Sequence, residues 1–426
     1  MRTTDVTGAV GCGLAFWLSG CSQVLDVLDD IDMSGEASSG TGAVSPPVAS
    51  PPEGACGCTI SGALRPLSCT GEEVPLLDNP VVQASRDGSV VVFNVCEPEF
   101  DCRLMYWDGG EAREIGTGLL IDISDSGRHA LSSGGAGLEF FDVDVGVRVL
   151  PIASLDGADS VSASGDAVFG AQYLEGRTQL VRLNVRSGAI EVLGAVEGQI
   201  VRAYATPDAA NVVGSAFELE GDYNDFGFRW REGAGLTLGL PGVADDVIAW
   251  PESLSDDGRS IAGRARQPAM HFYFSEEDGY VELAPASWRS ETFISADGAV
   301  VLGTLDAGAR DSSAFRWTRE TGVVDLTPDG SSLAVAMSDD GDVIAAHSWD
   351  DAMLEGAGDP VDPEETYIWD SEHGTRTLSE LLESRGVDAT GWEFGHPRAL
   401  SADGHVLLGR AHCGGTPTLY RLVLTD

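Results

Sequence analysis

The residues with the clearest chemical potential are serines and aspartates that recur in a fixed phrase, Ser-x-Asp-Gly. Residues 294–303 spell "ISADGAVVLG" and residues 400–409 spell "LSADGHVLLG". A carboxylate beside a hydroxyl can ligate a cation, act as a general acid or base, or simply shape a turn. Catalytic sites are usually single, whereas looser matches to this phrase begin at residues 84, 123, 161, 205, 254, 294, 337 and 400. Repetition therefore favours a hairpin turn, in which glycine supplies the positive φ.

Acidic side chains also concentrate in two long segments between the phrases, 215–227 and 346–366. Function tends to concentrate in loop insertions on a rigid scaffold. We therefore predict an acidic rim that binds a cation, with Ca²⁺ the ion considered, or a cationic protein partner; an unliganded, solvated loop is the alternative. The predicted binding residues are Glu218, Glu220, Asp222, Asp225, Trp349, Asp350, Asp351, Asp359, Asp362, Glu364 and Glu365. The stretch "DYNDFG" (222–227) departs from an acidic calcium loop, because Phe226 stands at the third ligand position.

Composition excludes several kinds of chemistry. The chain contains no lysine, which rules out Schiff bases, a P-loop lysine and a lysine general base. Its formal net charge of −43 argues against binding nucleic acid or an anionic membrane surface. The seven histidines have no metal-ligand spacing, and no G-x-S-x-G phrase occurs. No cofactor is predicted, and the identity of any metal stays open.

The elements that must position these residues form a repeat. Each Ser-x-Asp-Gly copy is followed by an aromatic run, such as "AFRW" (314–317), and then by a Gly-then-Leu phrase, such as "TGVVDL" (321–326). Two strands around the turn and two more from these phrases make four strands per unit. Short strands repeating at about this period predict an all-β fold, a single β-propeller. Eight blades are expected and seven are the alternative; the Trp and Phe of the aromatic runs are expected in the core between blades, rather than on a glycan-binding surface.

The two ends of the repeat predict how the ring closes. The last unit ends with a third strand, "TLYRLVL" (418–424), and the chain stops before a fourth. A Gly-then-Leu phrase, "TGEEVPLL" (70–77), precedes the first unit instead. We predict that strand 71–77 pairs with 418–424, so that both ends of the chain build the last blade.

The N-terminus has the features of an export signal. An apolar stretch too short to span a bilayer ends in "LSGC" (18–21), which resembles the lipobox of bacterial lipoproteins. That resemblance implies a signal peptide at 1–20, lipidation of Cys21, and, with Ser22 after it, an outer-membrane lipoprotein held at the cell envelope by its lipid alone. A secretory signal cleaved elsewhere is the alternative. Residues 21–54 are Ser/Gly/Pro-rich and are expected to form a disordered tether, and residues 55–426 the propeller domain.

An even number of further cysteines in an exported protein predicts disulfides. Cys96 and Cys102 flank a hairpin in the first blade, close enough to bridge, and Cys413 lies in the equivalent loop of the last blade. We expect Cys69 to pair with one of two neighbours and Cys413 with the other, which leaves the connectivity open. The candidates are Cys56, Cys58, Cys69, Cys96, Cys102 and Cys413.

Residues 294–326 also resemble the HAF-type extracellular repeats of secreted bacterial proteins and, more loosely, the blades of TolB-like propellers. These families share a propeller-like fold and mostly lack an assigned activity, so the resemblance implies the fold and little of the function. The prediction is a non-enzymatic binding or scaffold module whose partner is an envelope or extracellular protein or a glycan. The alternative is a propeller enzyme, a glycan lyase or hydrolase, working at the central channel or the long-loop face. An enzyme should have a deep pocket of converging acids, His or Arg, and a binding module a broad rim around a packed or solvent-filled channel.

Overall fold

The structure is a computed structural model, and it describes only part of the chain. The described residues are 64–67, 81–96, 102–110, 112–134, 137–150, 160–174, 177–196, 198–217, 225–241, 243, 247–266, 269–286, 291–306, 312–327, 332–348 and 365–424. The predicted signal peptide (1–20) and tether (21–54) lie outside them, so those predictions stand as they were.

The described strands form eight antiparallel sheets of four strands each, which confirms the all-β propeller with eight blades. Blades 1 to 4 each contain four consecutive strands. These are β2 (Val82–Ala84), β3 (Val91–Cys96), β4 (Cys102–Trp107) and β5 (Arg113–Thr117); β6 (Leu119–Ile123), β7 (His129–Gly134), β8 (Gly137–Asp142) and β9 (Gly146–Val149); β10 (Ser160–Val161), β11 (Ala167–Leu174), β12 (Arg177–Asn184) and β13 (Ile190–Val196); β14 (Gln199–Ala205), β15 (Asn211–Phe217), β16 (Asp225–Arg231) and β17 (Gly235–Leu238).

Blades 5 to 7 repeat this order, and blade 8 takes its fourth strand from the N-terminal side of the chain. Their strands are β18 (Ala249–Leu254), β19 (Ser260–Arg266), β20 (Ala269–Ser275) and β21 (Gly279–Pro285); β22 (Phe293–Ile294), β23 (Val300–Asp306), β24 (Ser312–Thr318) and β25 (Gly322–Asp325); β26 (Ser332–Met337), β27 (Val343–Ser348), β28 (Thr366–Asp370) and β29 (Gly374–Thr377); β30 (Trp392–Leu400), β31 (Val406–Cys413), β32 (Thr416–Val423) and β1 (Leu64–Pro66).

Closure by the two ends of the chain is confirmed, but the predicted strand is wrong. The outer edge of β32 pairs with β1, in the register Leu64 opposite Leu422 and Pro66 opposite Tyr420. Segment 71–77 therefore cannot occupy that edge. The physical reason is that Leu64 is completely buried at the ring-closing interface, and "SGALRPL" (61–67) has the same form as the fourth-strand phrase "SGAIEVL" (187–193) of blade 3.

The glycines that recur in the phrase are explained by backbone conformation and by close packing between strands. In the turn of blade 6, Gly298 has φ +73°, a conformation that residues with a Cβ rarely adopt. At the end of the same phrase, a Cβ on Gly303 would lie 2.7 Å from the ring of Phe315. Phe315 belongs to the aromatic run and is fully buried. The phrase therefore ends in glycine because an aromatic ring of the third strand covers that position.

Arginines of the aromatic runs join each blade to the next. Arg316 of blade 6 donates from Nε to the Gly341 carbonyl oxygen in the turn of blade 7, at 3.1 Å, and its guanidinium lies 5.1 Å from the Trp369 ring centroid. Arg182 makes the same pair of contacts from blade 3 to Ala209 and Trp230 of blade 4. The Trp of three of these runs is buried and Trp369 is half-buried against the core, which confirms the expected core between blades. The buried Trp residues are Trp107, Trp230 and Trp317.

The longest spacing between phrases, 63 residues before the last copy, accommodates the one helix within the described residues. Helix α1 (Leu378–Ser384) begins at a capping box, in which Thr377 and Glu380 exchange side-chain to backbone hydrogen bonds. It packs Leu381 and its neighbours into the core that joins blades 7 and 8. The helix thus fills space at the edge of the ring without interrupting it.

Candidate functional site

The aspartates of the repeated phrase are used by the turn itself. In blade 6 the Ser295 hydroxyl donates to Asp297 Oδ1 at 2.7 Å, and the same oxygen accepts the Ala299 N–H at 2.9 Å. In blade 1, hydrogen bonds from Ser89 and Ser85 hold the pKa of Asp87 below its usual value. A carboxylate engaged in this way is a structural part of the turn, which agrees with the hairpin interpretation.

The residue between Ser and Asp in each phrase, called here the x residue, forms an inner ring at one end of the lumen. Its N–H donates to the carbonyl oxygen of the x residue in the next blade, for example Ala402 to Arg86 at 2.8 Å and Arg86 to Asp125 at 2.7 Å. The link is missing only after blade 4, whose x residue is Pro207 and has no N–H. Eight chains at the roughly 4.8 Å spacing of hydrogen-bonded strands make a ring about 12 Å across.

The side chain of Arg86 crosses this ring. It contacts Asp125 of blade 2 at 3.3 Å, Asp256 of blade 5 at 3.0 Å, and Asp339 of blade 7. Burial alone would lower the pKa of Arg86, but the hydrogen bond to Asp256 and the charge of Asp339 outweigh it and raise that pKa. Burial and the neighbouring aspartates raise the pKa of Asp339. Because blade 5 lies opposite blade 1, these side chains obstruct the lumen at the Asp-Gly end.

Farther from that end, a second ion pair joins blades that are not neighbours. Arg202 of blade 4 lies 2.5 Å from Glu291, which precedes the first strand of blade 6, and 3.1 Å from the Tyr204 hydroxyl. Burial raises the pKa of Tyr204 to about 12, so it remains a neutral phenol. In blade 5, Arg264 donates to the buried carboxylate of Glu252 at 2.8 Å. Arg202 and Arg264 are therefore each paired with a glutamate in the lumen wall.

Asp122, on the first strand of blade 2, forms no ion pair among the described residues. It lies deep in the ring, and burial raises the pKa of its carboxyl to about 7. It accepts two backbone hydrogen bonds, from Val161 at 2.6 Å and from Ile123 at 2.9 Å. Its carboxyl therefore titrates near neutral pH.

A pocket of about 310 Å³ lies apart from the lumen, between blades 7 and 8. Leu381 of the helix and Leu424 contribute apolar surface, and Asp370 contributes charge. Both His373, at 2.9 Å, and Arg376 bind that carboxylate. The Asp370 carboxylate is consequently paired with His373 and Arg376.

The predicted acidic rim falls almost entirely outside the described residues. Asp225 begins β16, where its backbone pairs with Phe217. Glu365 is exposed at the base of the second long loop; its N–H donates to Ser348 Oγ at 2.7 Å, and its carboxylate accepts the Tyr367 hydroxyl at 3.1 Å. The residues that lie outside are Glu218, Glu220, Asp222, Trp349, Asp350, Asp351, Asp359, Asp362 and Glu364. No group of three or more His, Cys, Asp or Glu able to hold a metal ion occurs among the described residues.

The structure contains a disulfide between Cys96 and Cys102, which face each other across β3 and β4. Cys413 is also disulfide-bonded, and its partner lies outside the described residues, as do Cys21, Cys56, Cys58 and Cys69. Lipidation of Cys21 and the remaining connectivity stay predictions. No helix in the described segments is both long and apolar enough to cross a membrane.

Sequence reasoning missed the cluster of Arg86 and three aspartates, although a signal was present. Aligning the eight phrases places the cluster in a single column, the x position, which holds Arg86, Asp125, Asp256 and Asp339. The shared Ser, Asp and Gly define the phrase, whereas these charged side chains occupy a variable position between them.

Comparison with known proteins supports the fold. No protein-family model and no curated protein matches the chain. The dipeptidyl peptidase 4 of Porphyromonas gingivalis is 11% identical over 78% of this chain and 56% of its own, with a TM-score of 0.50. An oligogalacturonate lyase from Vibrio parahaemolyticus is 13% identical over 82% of this chain and 97% of its own, at 0.46. TolB from Acinetobacter baumannii is 12% identical over 70% of this chain and 77% of its own, with a TM-score of 0.35. At 11% identity the first likeness concerns the fold alone, and the other two, with TM-scores below 0.5, carry no argument.

Proposed function

We propose that this chain is an exported, lipid-anchored β-propeller that acts as a non-enzymatic binding or scaffold module at the cell envelope. Its ligand is a cationic protein partner, held by the acidic rim of segments 215–227 and 346–366. The observation that carries the proposal is the side chain of Arg86, which crosses the lumen to Asp256 on the opposite blade. With the Asp-Gly end obstructed, a partner reaches the ring from the other end.

We expect the long loops at that other end. Each connects the second and third strands of its blade, and antiparallel pairing places this connection opposite the Asp-Gly turn. The described base of the second loop carries exposed Glu365. A chain with a net charge of −43 and no lysine attracts cationic partners over a distance, and clustered acids add specificity where they are densest.

The described lumen also fits a binding module better than an enzyme. Apart from Asp122, which accepts only backbone N–H groups, the acids described above are engaged in turns or in ion pairs, as Glu252 is with Arg264. A general acid or base needs a carboxyl or imidazole free to meet a substrate proton. The described residues therefore favour the rim over the lumen as the place where a partner is bound.

The test compares two sets of four neutralised acids in the full chain. The rim variant carries E218Q, E220Q, D222N and D225N. The matched control carries D108N, E232Q, E320Q and E372Q, which replace exposed acids in the outer turns of the Asp-Gly face. Both lose four negative charges, so long-range attraction falls equally.

Binding of a fluorescent arginine-rich peptide is measured by anisotropy at physiological salt. We expect the rim variant to weaken binding about tenfold or more, which corresponds to about 1.4 kcal/mol, and the control to change it by less than threefold. Equal weakening in the two variants would show that only net charge matters and would contradict the rim. Turnover of a polysaccharide or peptide substrate by the same protein would favour the enzyme alternative.

A further inference from the structure

Two adjacent blades present oxygen acceptors on the lumen wall: the Asp122 carboxylate, which no cation among the described residues neutralises, and the Gln83 amide oxygen, which accepts no hydrogen bond. Asp122 stands two residues before the phrase serine of blade 2, and Gln83 stands at the same position of blade 1. Each residue as a whole is half-buried. The Asp122 carboxyl and the Gln83 Oε1 atom are their buried parts. They therefore lie on the wall of the lumen rather than in the packed core between blades.

The carboxylate of Asp122 has no cationic partner among the described residues. Its two hydrogen bonds come from the backbone N–H groups of Val161 and Ile123. Glu252 offers a direct comparison, because it also accepts an N–H from the first strand of the next blade, that of Thr292 at 2.9 Å. Glu252 is neutralised by Arg264, and Asp122 has no equivalent arginine.

Gln83, on the neighbouring blade, adds an unused acceptor next to Ile121, the residue that precedes Asp122. Its Nε2 donates to the Ile121 carbonyl oxygen at 3.1 Å, which fixes the orientation of the amide. Its Oε1 is buried and accepts no hydrogen bond. A buried acceptor without a donor destabilises the folded protein, and a buried carboxylate without a counter-charge does so more strongly.

The wall at this level is chemically one-sided. Blades 1 to 5 carry oxygen-bearing side chains at this position, and blades 6, 7 and 8 carry apolar ones. The residues of the second set are Phe293, Ala336 and Ala399. Oxygen atoms gathered on one side of a lumen are what a hard cation such as Ca²⁺ or Na⁺ requires as ligands.

We propose that the lumen binds a hard cation at blades 1 and 2, with the Asp122 carboxylate and Gln83 Oε1 as two of its oxygen ligands and water completing its coordination. The cation neutralises the carboxylate and uses the amide oxygen at once, whereas a water molecule brings no charge. This site is separate from the acidic rim, and either proposal can fail without the other.

The experiment measures thermal unfolding of the full chain at pH 8, where Asp122 is ionised in the folded protein. The reference buffer contains tetramethylammonium chloride, whose cation is too bulky and too weakly coordinating for the site. Replacing it with NaCl in one arm and CaCl₂ in the other, at constant ionic strength, distinguishes the two cations. We expect at least one arm to raise Tm by about 2–4 °C.

The matched variants are D122N and D108N, which remove the same charge from the lumen wall and from an exposed outer turn of blade 1. D108N should keep the cation-dependent shift and D122N should lose it. Equal shifts in both variants, or none in the wild type with either salt, would overturn the proposal. Should D122N not fold, Q83E supplies the second readout: a second carboxylate at the site should tighten Ca²⁺ binding measured by equilibrium dialysis, and unchanged binding would overturn it.

Discussion

Arg421 in the last strand of the sequence donates from Nε to the carbonyl oxygen of Gly88 in the first turn, at 3.2 Å. The contact repeats, between blades 8 and 1, the bond that Arg316 makes to Gly341 between blades 6 and 7. The junction where the ring closes is therefore built like a junction inside the chain. Pairing of β1 with β32 adds to it from the outer edge of blade 8.

Replacing Arg421 with Lys is expected to destabilise the protein by about 1–2 kcal/mol. An ammonium cannot reproduce the Nε–H bond, and it loses the stacking of a planar guanidinium on Trp107, which lies 5.3 Å away. Urea unfolding monitored by tryptophan fluorescence provides the measurement. Arg316→Lys should cost a similar amount, while exposed Arg259→Lys should change stability by less than about 0.5 kcal/mol. A cost for Arg259→Lys equal to that for Arg421→Lys would contradict this role.

Removal of the positive charge at the centre of the inner ring should expose three aspartates to one another. Arg86→Leu is expected to lower stability by about 1 kcal/mol at low salt, a modest value because these side chains are about 40% exposed. The loss should shrink in 1 M NaCl, since exposed charges are screened. A loss that stays constant between low and high salt would mean that Arg86 acts through packing, not charge.

His271 should make folding sensitive to acid. Burial between Thr292 and Thr304 lowers the pKa of this histidine from 6.5 to about 4, so it is neutral in the folded protein. Its contribution is fully present above about pH 6.5 and is lost as the pH falls toward 4, because the unfolded chain binds a proton that the folded chain refuses. The full effect is about 3 kcal/mol.

The measurement compares wild type with His271→Gln by urea unfolding at pH 7 and pH 5. Asp122 contributes the opposite slope, because its raised pKa makes the folded state bind the extra proton, so that stability falls as the pH rises from about 4 to 7. That term is common to both proteins and cancels in their difference. The gap between wild type and variant should narrow at pH 5; a gap that does not depend on pH would be inconsistent with a neutral, buried His271.

Lipidation can be tested at Cys21. Cys21→Ser should abolish incorporation of a labelled fatty acid and move the protein out of the membrane fraction, because a thiol is the acceptor of the lipid. Cys12→Ser, inside the signal segment, is the control and should leave both readouts unchanged. Continued labelling of Cys21→Ser would contradict the lipoprotein assignment.

The partner of Cys413 can be identified by mass spectrometry of peptides under non-reducing conditions. We expect Cys413 to be linked to Cys56 or Cys58, with Cys69 linked to the other. A peptide that joins Cys413 to Cys69 would contradict this connectivity.

The fold could be predicted because its signal is local and repeated. Each Asp-Gly turn must lie between two apolar strands, and the eight copies predicted eight blades, with seven as the alternative. The closing strand was misplaced because "SGALRPL" and "TGEEVPLL" both have the fourth-strand form, and the burial of Leu64 against Leu422 is a property of the closed ring. Local pattern does not separate the two.

The lumen was less predictable for a related reason. Arg86 and Asp256 are 170 residues apart, and only the curvature of the complete ring brings them together. The same holds for Arg202 and Glu291, which come from blades on either side of blade 5. Contacts of this kind depend on the radius of the ring, which no single repeat encodes.

Pro207 makes one junction of the ring unlike the others. Since it donates no hydrogen bond to blade 5, the innermost backbone circuit is interrupted at the junction of blades 4 and 5, which lies across the ring from the junction of blades 8 and 1. The cohesion of blades 4 and 5 therefore rests on side chains: Arg229 donates to the Gly258 carbonyl oxygen at 2.8 Å, and Val213 packs in one core cluster with Phe272. Of the two junctions that halve the ring, the one between neighbours in the chain lacks the backbone link, and the one between its two ends keeps it, from Ala402 to Arg86.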